Sequence, residues 1–239
     1  MAGAPAVGAE EDAAMTAHPI IRPACPCDLS RPPPGRSSVD DAILLVALMR
    51  PFADPRSAEA TAGRLLARFG DLGAVMAAEA VELRRVPGVG QPLIETFGVV
   101  AEVAVRMARQ TASRRPVIAS WKALLAYVRV SLANQPREQF RALYLDRRNN
   151  LLQDEMVADG TVDHAPVYPR EVVRRALVRN ASAVILVHNH PSGDPTPSRA
   201  DIEMTRQIVD AARVFGLQVH DHLVVGREGT ASFQSLGLI

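Results

Sequence analysis

The chain has 239 residues, 48% of them apolar, with 27 Lys and Arg against 26 Asp and Glu. That is enough for one medium domain plus a small one around a buried core, and the near-neutral balance argues against a protein that coats nucleic acid generally, although local patches remain possible. Aromatic residues make up only 4% and give no evident base-stacking surface. No apolar run approaches the roughly 20 residues that span a bilayer, and the N-terminus lacks the basic start and apolar core of a signal peptide, so no membrane partner and a cytoplasmic location are expected.

Residues 1–36 are rich in Ala, Pro and Gly, include Arg31-Pro-Pro-Pro-Gly-Arg36, and are expected to be disordered. This lead holds His18 and the two cysteines, Cys25 and Cys27, an incidental pair rather than a disulfide framework.

From 37 to 112 the pattern is helical. Residues 39–50 predict one helix with acidic residues at its start, 57–68 a second, and 71–77 and 80–84 short pieces. A longer helix should run to about 109. Just before it, Gly88-Val-Gly90 resembles a helix-hairpin-helix turn, where glycines let backbone N–H groups approach a phosphate. Gln91 and Pro92 stand where a cation usually follows, while Arg84, Arg85, Arg106, Arg109, Arg114 and Arg115 flank the motif. Gly88 and Gly90 are therefore weak candidates for DNA contact, weighed against a hairpin that only packs.

Residues 111–116 read as a linker, and 117–239 as a second domain in which helices and strands interleave. A helix over 121–133 precedes an alternating strand over 138–146, a turn at 147–150, and a second strand that carries Asp154 and Glu155. A helix over 169–180 leads into 181–187, a β-branched apolar run expected of a strand buried on both faces. His164 falls in a loop and is expected to be solvated.

His188 and His190 follow at the end of that buried strand. Residues i and i+2 of a strand point the same way, so both imidazoles can face one point while Asn189 faces away. The Pro- and Gly-rich stretch 191–197 must turn, and 198–215 has helical periodicity with Ser198 as its N-cap and Asp201 in the first turn. His188, His190 and Asp201 would give three N/O ligands and leave a fourth position for water, the pattern of catalytic rather than structural zinc, although other divalent metals suit the same donors. Asp154 and Glu155 face opposite sides of their strand, and spacing does not choose between them as the base. A last strand over 217–225 carries His220-Asp221-His222, which reads as outer support for the site rather than a rival metal site.

The spacing His188-x-His190, ten residues, Asp201, with Ser198 three before the aspartate and a glutamate upstream, resembles the JAMM (MPN-plus, JAB) metalloprotease motif. The fuller string His188-Asn-His190-Pro-Ser-Gly193, with Tyr168-Pro-Arg-Glu171 before it and Asp221-His-Leu-Val-Val-Gly226 after it, is similar to the RadC branch. The helical half is similar to the N-terminal domain of RadC proteins. The resemblance implies an α/β (α+β) sandwich with a mixed sheet, the MPN/JAB (cytidine deaminase-like) fold, preceded by a small all-α domain. It implies one zinc per chain on His188, His190 and Asp201, Glu155 as general base, and Ser198 as donor to the oxyanion. Asn189 stands where deubiquitinating members carry a small or hydroxyl residue, a departure typical of the RadC branch that weakens any transfer of ubiquitin-like specificity. The implied activity is hydrolysis of an amide or isopeptide bond in a protein or peptide. The alternatives are a metal-dependent nuclease and a DNA-associated interaction protein, since the family is associated with DNA repair.

Overall fold

The computed structural model describes residues 40–113, 116–160 and 167–239. The proline-rich lead, Arg114, Arg115 and His164 lie outside the described residues.

The first part is helical. α1 (Asp41–Met49) and α2 (Pro55–Phe69) begin where the side chains of Asp40 and Asp54 accept from backbone N–H groups of the first turn, and α2 ends at Gly70 with φ 98°. α3 (Leu72–Ala77) and α4 (Ala80–Arg84) are short, and α5 (Gln91–Ser113) is long. Leu45, Met49, Leu65, Val75, Leu83 and Phe97 form their common core.

Helix α5 continues beyond the expected stop near 109 and takes in the first residues of the expected linker. Ala112 is buried there, and Val105 and Ala108 pack beside it against α6 (Trp121–Leu132), which follows a 3-10 turn at Val117–Ser120. Burial of this apolar stripe outweighs the weak helix propensity of Thr111 and Ser113, whose hydroxyls return to the carbonyls of Met107 and Arg109.

The second part is a five-stranded mixed sheet of order β2-β1-β3-β4-β5, from β1 (Gln139–Leu145), β2 (Leu151–Asp159), β3 (Ala183–Asn189), β4 (Gln218–Val225) and β5 (Thr230–Ser232). β3 and β4 are parallel and the other pairs antiparallel. The sequence does not announce β5. Alternation along β1 and β3 sorts side chains between two cores. Leu143, Leu145, Ile185 and Val187 meet α6 on one face. Phe140, Ala142, Tyr144, Val184 and Leu186 meet α7 (Pro169–Val178) and α8 (Arg199–Val214) on the other. The architecture is α+β, and every residue of β3 is buried, as its continuous apolar run requires. Among the described residues no helix is long and apolar enough to cross a membrane.

Candidate metal centre

The face of β3 that carries Val184 and Leu186 ends in His188, which puts that imidazole over α8. His190 lies one residue past the strand, its N–H still held by the Val225 carbonyl at 2.9 Å. The turn that follows brings the Asp194 carbonyl to 2.9 Å from His190 Nδ1. A carbonyl only accepts, so Nδ1 carries the proton and Nε2 presents a lone pair when the ring is neutral.

Ser198 then starts α8 with a reciprocal cap. Its Oγ accepts from Asp201 N at 3.1 Å, and Asp201 Oδ2 accepts from Ser198 N at 2.7 Å. The cap fixes the Asp201 carboxylate in the first turn, aimed at the histidine pair. His188 Nε2 and His190 Nε2 lie 3.0 Å apart, Asp201 Oδ1 is 3.3 Å from the first, and Oδ2 is 3.5 Å from the second. The three residues form the one cluster among the described residues whose ligand atoms, within 4.8 Å of one another, could hold a metal ion. His188 is fully buried and Asp201 nearly so, while His190 keeps an open side. Two imidazoles and a carboxylate, rather than thiolates or four closed ligands, suit a divalent cation with a free position.

The local electrostatics agree with that use. Burial alone would raise the Asp201 carboxyl, but the adjoining His188 and His190 imidazoles and the Ser198 hydrogen bond outweigh it and hold the group far below the usual carboxylate range. Asp201 in turn raises His190 against the opposing effect of burial, with Asp194 and Glu138 adding smaller contributions. The site is arranged to concentrate positive charge.

Glu155 does not reach it. Glu155 pairs with Ala142 on β1, and Ala142 with Leu186 on β3, two positions short of His188. Two strand spacings and two residue rises place its Cα roughly 12 Å from that of His188. Its carboxylate is bound by Arg175 of α7, at 2.8 Å, and by Arg179, the C-cap of that helix. The assignment of Glu155 as the base is therefore corrected: it is a strand carboxylate neutralised by two arginines at the end of α7. Asp154 faces the other side, as alternation requires, and is buried against Tyr127 and Arg141.

The carboxylate that the fold does bring to the triad is Glu138, immediately before β1. Phe140 pairs with His188, so one more step of the same ladder sets Glu138 opposite His190 and on its face. Its charge is felt at His190, and among the described residues no hydrogen bond or ion pair engages its carboxylate. The upstream glutamate expected from the sequence lies in the second strand, and Glu138 is not among the candidates there. What marks Glu138 is the antiparallel pairing of β1 with β3 across some fifty residues, which the sequence does not announce.

Of the remaining candidates, His222 touches His188, with His222 Nε2 2.8 Å from His188 Nδ1, whereas His220 turns away to Asn149. Asp221 is buried and accepts from Ser232, Gln234 N and His222 N. Gly88 has φ 93°, and a Cβ there would fall 2.3 Å from Thr61 Oγ1, so packing of the hairpin on α2 by itself requires that glycine. Of the arginines beside the hairpin, Arg84 binds Gln91 and Arg85 binds Glu82.

A sheet strand ending in two metal-capable histidines, completed by an aspartate in the first turn of the next helix, defines a JAB-type domain. A family model described as the RadC-like JAB domain matches residues 118–238. The chain is also 50% identical over 205 residues to a UPF0758 protein of Rhodobacter capsulatus, covering 86% of this chain and 96% of that protein. It belongs to the RadC family. The likeness to the Rhodobacter protein extends beyond the JAB match into the helical half.

Proposed function

We propose that this protein is a metal-dependent hydrolase, preferring zinc at one ion per chain, that cleaves an amide or isopeptide bond. The observation that carries the reading is the convergence of His188 Nε2, His190 Nε2 and the Asp201 carboxylate beside an uncommitted Glu138. When bound, zinc supplies Lewis acidity and lowers the pKa of a coordinated water toward neutrality.

The chain's own groups supply the rest. The Glu138 carboxylate takes the proton of the attacking water and returns it to the leaving nitrogen, one group serving as base and then acid. Ser198 Oγ already accepts from Asp201 N, which leaves its own hydrogen free to donate to the oxygen of the attacked carbonyl. Glu155, held between Arg175 and Arg179, braces α7 on the sheet and takes no part in the chemistry.

The test is metal content by elemental analysis on wild type, His188→Ala, Glu138→Gln and Glu155→Gln, with cleavage of a peptide library and of plasmid DNA on the same preparations. Wild type should hold one zinc and cleave peptides. His188→Ala should lose the metal; Glu138→Gln should keep it and lose activity by about 10²–10⁴-fold. Glu155→Gln should cleave at the wild-type rate. Full activity in Glu138→Gln would refute the assignment of the base, and Glu138-dependent cleavage of plasmid alone would replace the peptidase reading with a nuclease.

A further inference from the structure

His222 is a fully buried imidazole between the rings of Phe140 and Phe233, with centroids 5.4 and 4.6 Å away. Such a polar ring in an apolar pocket calls for partners, and it has two. Its Nδ1 lies 2.6 Å from Thr205 Oγ1, and its Nε2 2.8 Å from His188 Nδ1. Thr205 Oγ1 lies 2.6 Å from the Asp201 carbonyl. Thr205, His222 and His188 thus join both ends of the candidate metal centre in a closed ring, since His188 and Asp201 also meet directly.

Each proton in this ring has one place. The Asp201 carbonyl can only accept, so the hydroxyl hydrogen of Thr205 lies on that contact. Thr205 Oγ1 must then accept from His222 Nδ1–H. A ring fully buried between two phenylalanines is neutral, and with its one proton on Nδ1 its Nε2 is a bare acceptor. His188 Nδ1 must donate to it. That leaves His188 Nε2, the atom facing Asp201, without a proton. The opposite sense would put a proton on Nε2 and close the position to a cation.

We propose that Thr205 and His222 are positioning residues that lock His188 in the Nδ1–H tautomer, so that its Nε2 is permanently presented as a metal ligand. The inference rests on the reading of His188, His190 and Asp201 as a metal centre. His222 reaches this place through an irregularity in β4. Val184 pairs with Val219 but Ile185 pairs with Asp221, so His220 is extruded as a bulge and His222 comes level with Leu186, on the His188 face.

The experiment compares wild type, Thr205→Val and Thr205→Ser. Zinc affinity is measured by competition with a chromogenic chelator, and the ring nitrogens are read by ¹⁵N NMR of histidine-labelled protein with and without zinc. Valine keeps the volume of threonine but not the hydroxyl, and should weaken zinc binding about 10–100-fold with a mixed tautomer at His188. Serine should restore both. A purely structural role would lower the melting temperature of Thr205→Val without moving zinc affinity or the tautomer, and that result would overturn the proposal. Should Thr205→Val fail to fold, Thr205→Ala makes the same comparison. The metal-free spectrum separates the two readings. Nδ1–H at His188 in wild type, lost in the valine variant, in a protein that binds no zinc would sink the metal centre and keep the lock. A proton on His188 Nε2 in metal-free wild type at alkaline pH would sink the lock.

Discussion

Asn189 shows how much one side chain between two ligands can settle. It faces away from the triad, as strand alternation predicts, and is fully buried. Its Oδ1 accepts from Gln139 N at 2.8 Å, and its Nδ2 donates to the Arg137 carbonyl at 3.0 Å and the Gln135 carbonyl at 3.4 Å. The amide therefore clamps the entry to β1, the segment that delivers Glu138. A small or hydroxyl residue here could not make all three bonds. Asn189→Ala should leave a partly buried N–H and carbonyl without this partner, at a cost of about 1 kcal/mol in denaturant unfolding. It should also lower turnover through a misplaced Glu138 while zinc content stays at the wild-type level; unchanged stability and turnover would show that the clamp is idle. At this scale the sequence exposed the three ligand candidates and the opposite facing of Asp154 and Glu155, because both follow from i, i+2 geometry. It could not choose a base, because what disqualifies Glu155 is two arginines at the end of a helix some twenty residues away, and what qualifies Glu138 is a strand pairing across fifty.

At the scale of elements, the start of α8 was legible from its cap at Ser198, whereas α2 begins at Pro55 behind Asp54, two residues before its expected start, and the buried strand β3 was legible from its apolar run. The bulge in β4 was not, since a bulge exists only relative to a partner strand. Strict alternation over 217–225 would set His220 and His222 on one face, whereas the extruded His220 bonds Asn149 and only His222 reaches the site. The turn after β4 matters equally. Gly226 approaches the loop behind His190 so closely that a Cβ would fall 2.0 Å from the Gly193 carbonyl oxygen, a backbone atom with no rotamer to yield. Arg227 and Glu228 fasten the same loop through the Pro191, Ser192 and Gly193 carbonyls. Gly226→Ala should push this loop outward, destabilise the fold by on the order of 1–3 kcal/mol and weaken zinc binding through His190. Melting temperature and zinc affinity measure the two effects together; a variant matching wild type in both would mean that the loops do not meet as described.

Over the whole molecule, α5 is the element that both cores share. Leu93, Ile94 and Phe97 near its start belong to the helical core, and Ala112 near its end belongs to the core under the sheet. Elsewhere the two parts touch more lightly: Asn134 comes up against Gly73, and Arg137 pairs with Glu79 at 3.1 Å. Both side chains of that pair are about half exposed, so screening leaves it about 0–1 kcal/mol. Mechanical and thermodynamic coupling should therefore run through the continuous backbone of α5. Ala104 lies between the two sets of buried residues and is itself exposed, so replacing it disturbs the helix without emptying either core. Ala104→Pro removes one helical hydrogen bond and clashes with the carbonyl of Val100, at about 3 kcal/mol, and a kink there lets the two cores melt separately. Ala104→Gly, at about 1 kcal/mol, weakens the helix without breaking it. Calorimetry should show one transition for wild type and for the glycine variant, the latter at lower temperature, and two for the proline variant. A single transition in Ala104→Pro would mean that the lighter contacts at Gly73 and Glu79 suffice to bind the two parts, and two in wild type would mean that α5 never joined them.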